Sequence, residues 1–199
     1  MEVKQSNLIK SLKLQPLIVV IRLEHKFFNT SFNRYKLLSK IKNLSNYGIK
    51  HIEIGYDPNP KWINLISEIK NNFKFINLGV ASITSRQSLD SIRSLDINYS
   101  MSPFFKKEIH LDAIRFNQLV IPGISNLENF KSAINLGYKI VKIYPASKLG
   151  INFLNELQNI KKKDTFFIGA GGIKSKNLEK LLKSGYDALV IGKELLNQT

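Results

Sequence analysis

The sequence predicts a (β/α)₈ barrel, an α/β TIM-type fold, with an extra helix at its start. Three observations carry this. Apolar, β-branched runs begin near Pro16, His51, Phe75, Tyr99, Gln118, Lys139, Thr165 and Ala188. The segments between them have helical spacing, and most intervals run about 20–25 residues, the length of one βα unit. Three units also repeat one another: Gly48-Ile49-Lys50-His51-Ile52-Glu53-Ile54, Gly137-Tyr138-Lys139-Ile140-Val141-Lys142-Ile143 and Gly185-Tyr186-Asp187-Ala188-Leu189-Val190-Ile191. Each sets a glycine where a helix C-cap belongs and an apolar strand after it. A doubly wound open sheet shares the alternation, but the repeat favours closed symmetry.

Taken in order, residues 5–14 read as the additional helix, closing the bottom of the barrel. Leu17-Ile18-Val19-Val20-Ile21 is the first strand and Arg22 ends it. The second carries Glu53, and Ile63, Leu65, Ile66 and Ile69 give its helix an apolar stripe. The third ends Gly79-Val80-Ala81-Ser82, the fourth Ser100-Met101-Ser102-Pro103, and the fifth contains Ile121-Pro122-Gly123-Ile124. Lys142 stands in the sixth. The seventh closes on Gly169-Ala170-Gly171-Gly172-Ile173; the eighth, after a helix bearing Leu178, Leu181 and Leu182, closes on Ile191-Gly192-Lys193.

Composition bounds the function. A chain of 199 residues, 43% hydrophobic, supports one core, and we read residues 1–199 as a single domain. No apolar run is long enough to span a bilayer and the start lacks a signal peptide's hydrophobic region, so a cytoplasmic protein without a membrane partner is expected. The absence of cysteine excludes disulfides, thiolate metal sites and cysteine nucleophiles. The formal charge of +15 invites a nucleic-acid reading. However, lysines recur in nearly every helical segment, from Lys36, Lys40 and Lys42 to Lys176, Lys180 and Lys183, which describes a solvated surface. No nucleic-acid partner is expected. His25, His51 and His110 have no metal-ligand spacing and read as structural or surface residues.

The chemistry concentrates on two charges in apolar strands. An ammonium is costly to bury, and the usual result is a depressed pKa; a neutral lysine amine attacks carbonyls to give a Schiff base. By the repeat register, Glu53, Lys142 and Val190 hold one height and one face. In a barrel the second and sixth strands belong to the same alternate set, so Glu53 and Lys142 share a layer across the interior. A strand-end lysine reaching solvent, or a buried ion pair, are the plainer readings, but a buried pair adds little stability after desolvation. The glycines at Gly171, Gly172 and Gly192, with Lys193, let backbone N–H groups meet an anion at the loops where such barrels hold phosphate. Arg22 is placed to clamp a carboxylate or phosphate.

These motifs together resemble the 2-keto-3-deoxy-6-phosphogluconate (KDPG) / 4-hydroxy-2-oxoglutarate (KHG) aldolase family. The resemblance runs in order from about Leu17 to Leu196. Its most specific parts are Lys142-Ile143-Tyr144-Pro145-Ala146 and Ile121-Pro122-Gly123-Ile124. It implies a class I aldolase without metal or cofactor, usually a homotrimer, that cleaves a 2-keto-3-deoxy-6-phospho sugar acid or 4-hydroxy-2-oxoglutarate into pyruvate and an aldehyde. By this match Lys142 forms the imine with pyruvate and Glu53 shuttles protons through a water. Ser82 stands where the family commonly has a threonine near the substrate hydroxyl, Pro103 and Pro122 shape the pocket wall, and Tyr144 joins the substrate-binding set. Two departures stand out. Asp57 occupies the place of an arginine that holds the substrate carboxylate, leaving that duty to Arg22, and Lys193 replaces a small serine. Galactonate-type relatives tolerate the first change, so 2-keto-3-deoxy-6-phosphogalactonate is an alternative substrate. A phosphosugar isomerase or epimerase, or a non-catalytic relative, is the alternative outside the aldolases.

Overall fold

The computed structural model describes residues 1–24, 26–161 and 164–192. The parallel strands are β1 (Leu17–Ile21), β2 (His51–Gly55), β3 (Asn77–Ala81), β4 (Tyr99–Met101), β5 (Val120–Ile121), β6 (Gly123–Ile124), β7 (Ile140–Ile143), β8 (Phe166–Ala170) and β9 (Ala188–Ile191). The helices are α1 (Glu2–Leu14), α2 (Ser31–Asn46), α3 (Lys61–Asn72), α4 (Arg86–Arg93), α5 (Lys107–Arg115), α6 (Leu127–Asn135), α7 (Ala146–Ile160) and α8 (Leu178–Lys183). The sheet order is β5-β4-β3-β2-β1-β9-β8-β7-β6, with every pairing parallel.

Nine strand pieces rather than eight follow from one residue. Pro122 has no N–H and a fixed φ, so it cannot continue a ladder. It divides the fifth strand into β5, which pairs with β4, and β6, which pairs with β7. The two pieces are consecutive in the chain, so the ring closes through them and the eight-unit barrel stands.

The strands are buried on both sides, as parallel strands covered by helices must be. Ile52 and Ile54 flank Glu53 with no exposed surface, and Val141 and Ile143 do the same for Lys142. Because side chains alternate, the isoleucines and valine belong to the strand–helix layer while the charged residue between them points inward. Trp62 fastens α3 to the end of β2: it is fully buried, its Nε1 donates to the Gly55 carbonyl at 3.0 Å, and Tyr56 meets its ring edge-on. The three repeat glycines, Gly48, Gly137 and Gly185, have φ of 80°, 86° and 108° and turn the chain from helix to strand.

Helix α1 seals the N-terminal end of the barrel. Gln5 Nε2 donates to the Gly137 carbonyl at 3.1 Å while its Oε1 accepts from Lys139 N at 2.7 Å. Gln15 makes the same two-handed contact with Gly48 O and Lys50 N. Ser11 Oγ meets His51 Nε2 at 3.1 Å, and Leu8 and Leu12 are buried beneath. Among the described residues, the opposite, C-terminal end of the barrel opens into a cavity. No helix among the described residues is long and apolar enough to cross a membrane.

Candidate active site

At the open end lies a cavity of about 440 Å³, large enough for a small ligand. Glu53 and Lys142 enter it from β2 and β7, with Val20 and Val190 as apolar wall between them. Glu53, Lys142 and Val190, placed at one height by the repeat, do meet in this one space. Lys142 is only 6% exposed and Glu53 2%. The Lys142 backbone is held by its N–H donating to the Pro122 carbonyl at 2.9 Å, and its Nζ stands 5.3 Å from the centre of the Tyr144 ring.

The electrostatics follow from burial. Desolvation pushes the Glu53 carboxyl up to about 7, with Lys142 and then Arg22 opposing the rise. Desolvation pushes the Lys142 amine down to about 8; Glu53 resists this and Arg22 assists it. No salt bridge among the described residues joins the two, and Glu53 Oε1 is buried without a hydrogen-bond partner. An ion pair serving stability would close into contact and satisfy its remaining lone pairs. This pair instead holds each charge within the other's field while leaving both groups free, which suits an amine nucleophile facing an acid–base carboxyl.

Around this pair the chain arranges polar groups. Arg22, just after β1, lines the cavity and donates from Nη1 to Ser82 Oγ at 3.0 Å. Ser82 follows β3 with φ of 70°, a left-handed backbone that a side-chain-bearing residue rarely adopts and that is held mostly at functional sites. Pro103 forms part of the wall and packs so closely on β6 that a Cβ at Gly123 would fall 2.3 Å from its carbonyl. After β8, Gly171 and Gly172 line the cavity, as does Gly192 after β9. A Cβ on Gly172 would lie 2.1 Å from Ser147 Oγ, and one on Gly171 2.8 Å from the Tyr144 ring, so these walls exist because the side chains are missing. Tyr144 lines the cavity too.

The structure departs from the sequence expectations at three places. Pro122 does not line the cavity; lacking a donor, it serves through its carbonyl as the anchor for Lys142. Asp57 is not among the residues lining the cavity; its Oδ1 accepts from Asn59 N at 2.8 Å within its own loop, as acidic residues in turns do. Sequence reasoning also passed over Lys174, an exposed cation that lines the cavity. The signal was present, since Lys174 directly follows Gly171-Gly172-Ile173, but the many surface lysines hid it. Lys193 and His25 lie outside the described residues. His51 and His110 are buried and bonded to Ser11 and Tyr138, which accords with structural roles.

A parallel barrel presenting a buried lysine and a buried carboxyl to one cavity at its C-terminal mouth has the make-up of an enzyme active site. The chain belongs to the KDPG and KHG aldolase family, whose model matches residues 8–199; it is an aldolase, an enzyme of carbon–carbon bond cleavage. It is 21% identical over 159 residues to the 2-dehydro-3-deoxy-6-phosphogalactonate aldolase of Escherichia coli K12, covering 79% of this chain and 77% of that one. Among solved structures it is similar to the KDPG aldolase of Legionella pneumophila with pyruvate captured as a covalent carbinolamine. There the TM-score is 0.77 at 20% identity, over 90% of this chain and 83% of that one. It is also similar, with a TM-score of 0.78 at 20% identity over 90% of its length, to a designed cage made by fusing symmetric oligomeric domains, of which it spans 64%. At such identities the structural likenesses establish the fold.

Proposed function

We propose that the protein is a Schiff-base aldolase releasing pyruvate from a 2-keto-4-hydroxy acid that carries a phosphate. The observation that carries this reading is the Lys142–Glu53 pair, buried in one cavity, with the amine pK depressed and neither side chain locked to the other. Lys142 attacks the C2 carbonyl and water leaves, giving a protonated imine. Glu53, through a water, takes the proton from the C4 hydroxyl. The C3–C4 bond then breaks, its electrons pass into the imine to form an enamine, and the aldehyde departs. Protonation of C3 and hydrolysis of the imine return pyruvate and the free amine. The imine itself is the electron sink, so this reading assigns no metal and no cofactor. Arg22, positioned by Ser82, receives the carboxylate. The backbone at Gly171, Gly172 and Gly192, with Lys174 at the rim, receives the phosphate.

The Escherichia coli relative supports the galactonate stereoisomer as a second reading beside the gluconate one. Specificity constants measured on both phosphorylated acids and on 4-hydroxy-2-oxoglutarate decide among them. A homotrimer in the cytoplasm is part of the proposal, and sedimentation equilibrium gives the assembly's mass. The deciding experiment for the mechanism is pyruvate with borohydride. One reduced adduct should form and map by peptide mass to Lys142, and Lys142→Met should form none. A label on another lysine, or none on the folded protein, removes the mechanism.

A further inference from the structure

Glu53 has a neighbour that the mechanism above does not use. In the sheet register Glu53 pairs with Gly79, and Gly79 pairs with Tyr99, so these three residues point to the same side of adjacent strands. Gly79 has no side chain, and the end of the Tyr99 ring fills the space. A Cβ there would lie 2.5 Å from Tyr99 Cζ and 2.9 Å from its hydroxyl oxygen. The phenol therefore crosses from β4 over β3 toward β2. Its hydroxyl lies over Gly79, the residue that pairs with Glu53 across neighbouring strands about 4.8 Å apart. Tyr99 is 1% exposed, and its hydroxyl is buried without a partner. So is Glu53 Oε1. A buried donor and a buried acceptor left unpaired each cost free energy, and such groups are almost always satisfied, often across an ordered water.

We propose that Tyr99 is the positioning residue for Glu53, its hydroxyl donating to the sealed carboxyl oxygen across one water. This would leave the other carboxyl oxygen to face the cavity and fix the orientation from which Glu53 exchanges protons. It rests on the reading of Glu53 as proton shuttle and extends it to the side of the carboxyl away from substrate. Lys142 and Arg22 approach Glu53 from the cavity, and Val20 and Val190 are apolar. His51 lies two residues earlier on the same strand, about 6.8 Å toward the barrel bottom; its Nε2 is engaged by Ser11 and its Nδ1 is unpartnered. The Glu53 charge is felt at Tyr99, where burial first and that charge second push the phenol well above its ordinary value. The phenol therefore stays protonated and able to donate.

The test is the titration of the Glu53 carboxyl itself, followed by carbon-13 resonance in glutamate-labelled protein and assigned by its loss in Glu53→Gln. Donation stabilises the carboxylate, so Tyr99→Phe should raise the Glu53 pKa by about one pH unit. The acid limb of the activity profile should move up by the same amount. Site-specific 3-fluorotyrosine at position 99, a stronger donor that keeps the ring, should move both down. This second variant also covers the case in which Tyr99→Phe fails to fold. A Glu53 titration unchanged by both substitutions overturns the proposal and leaves Tyr99 as packing. Because the resonance is read without substrate, a shifted titration in a protein that pyruvate and borohydride do not label would sink the aldolase mechanism while sustaining this link.

Discussion

Burial moves Lys142 and Glu53 toward their neutral forms, and each residue's charge resists the shift of the other. Burial drives a proton off the lysine and onto the glutamate, while their mutual field opposes both shifts, so the two titrate close together, at about 8 and about 7. Nucleophilic attack needs the neutral amine and proton abstraction needs the carboxylate. Both fractions grow as pH rises, so exchange of pyruvate methyl protons with deuterium should accelerate between about pH 6 and 9 and then level. A rate that falls across that interval would contradict the assignment. The stability contribution has its own sign. Glu53, with its pKa raised, stabilises the fold below its ordinary value, and this is lost as pH rises to about 7. Lys142, with its pKa depressed, contributes above its ordinary value, and this is lost as pH falls to about 8. The pair is least supportive between about pH 7 and 8, where both contributions have been lost. Glu53→Gln keeps the shape and removes the base. Turnover should fall about 10²–10⁴-fold while borohydride trapping persists more slowly, and near-normal cleavage would reassign the shuttle. Both residues were legible in the sequence because a charge inside an apolar strand is conspicuous. Lys174 was not, since nothing in a lysine-rich chain marks which surface lysine borders a cavity.

At the scale of elements, the strands and their order were readable from the repeat. The glycine C-caps need no partner to be recognised, because a left-handed residue between helix and strand is a local requirement. What the sequence concealed was how tightly elements approach. Gly123 looks like an ordinary strand glycine, yet β6 rests directly on the backbone after β4. A Cβ would fall 2.3 Å from the Pro103 carbonyl carbon and oxygen and 2.7 Å from Phe104 N. Backbone cannot move aside as a side-chain tip can. Gly123→Ala should therefore cost about 1–3 kcal/mol or more in denaturant unfolding and raise KM by disturbing the Pro103 wall. A variant as stable and active as the parent would show that the loop yields freely. The orientation of Asp57 was equally concealed, because an Asx-type contact to a residue two places on cannot be told from an outward-facing carboxylate without coordinates.

For the whole molecule, stability and chemistry occupy opposite ends of the barrel. Helix α1 satisfies, through Gln5 and Gln15, backbone groups at the starts of strands far apart in sequence. The extra helix and its place at the bottom were foreseen from residues 5–14, but not these glutamine bridges, which depend on the register of helix against barrel. Gln5 is 1% exposed and serves one donor and one acceptor. Gln5→Ala should leave two partly buried backbone groups without their side-chain partner and cost about 1–2 kcal/mol in unfolding free energy, with kcat and KM unchanged. A loss of activity in the folded variant would show that the two ends communicate.

The break at Pro122 has a mechanical consequence. Around most of the circle, strands of four or five residues are laced to both neighbours; at β5 and β6 the lacing thins to two residues on either side of a proline. A closed ring under thermal agitation gives first where it has fewest fastenings, so the barrel has one weak clasp rather than uniform stiffness. That clasp sits at the shoulder of Lys142, whose own N–H hangs from the Pro122 carbonyl. If Lys142 passes from free amine to imine and back as proposed above, the give it needs is local, and the other staves of the barrel can stay shut while it moves.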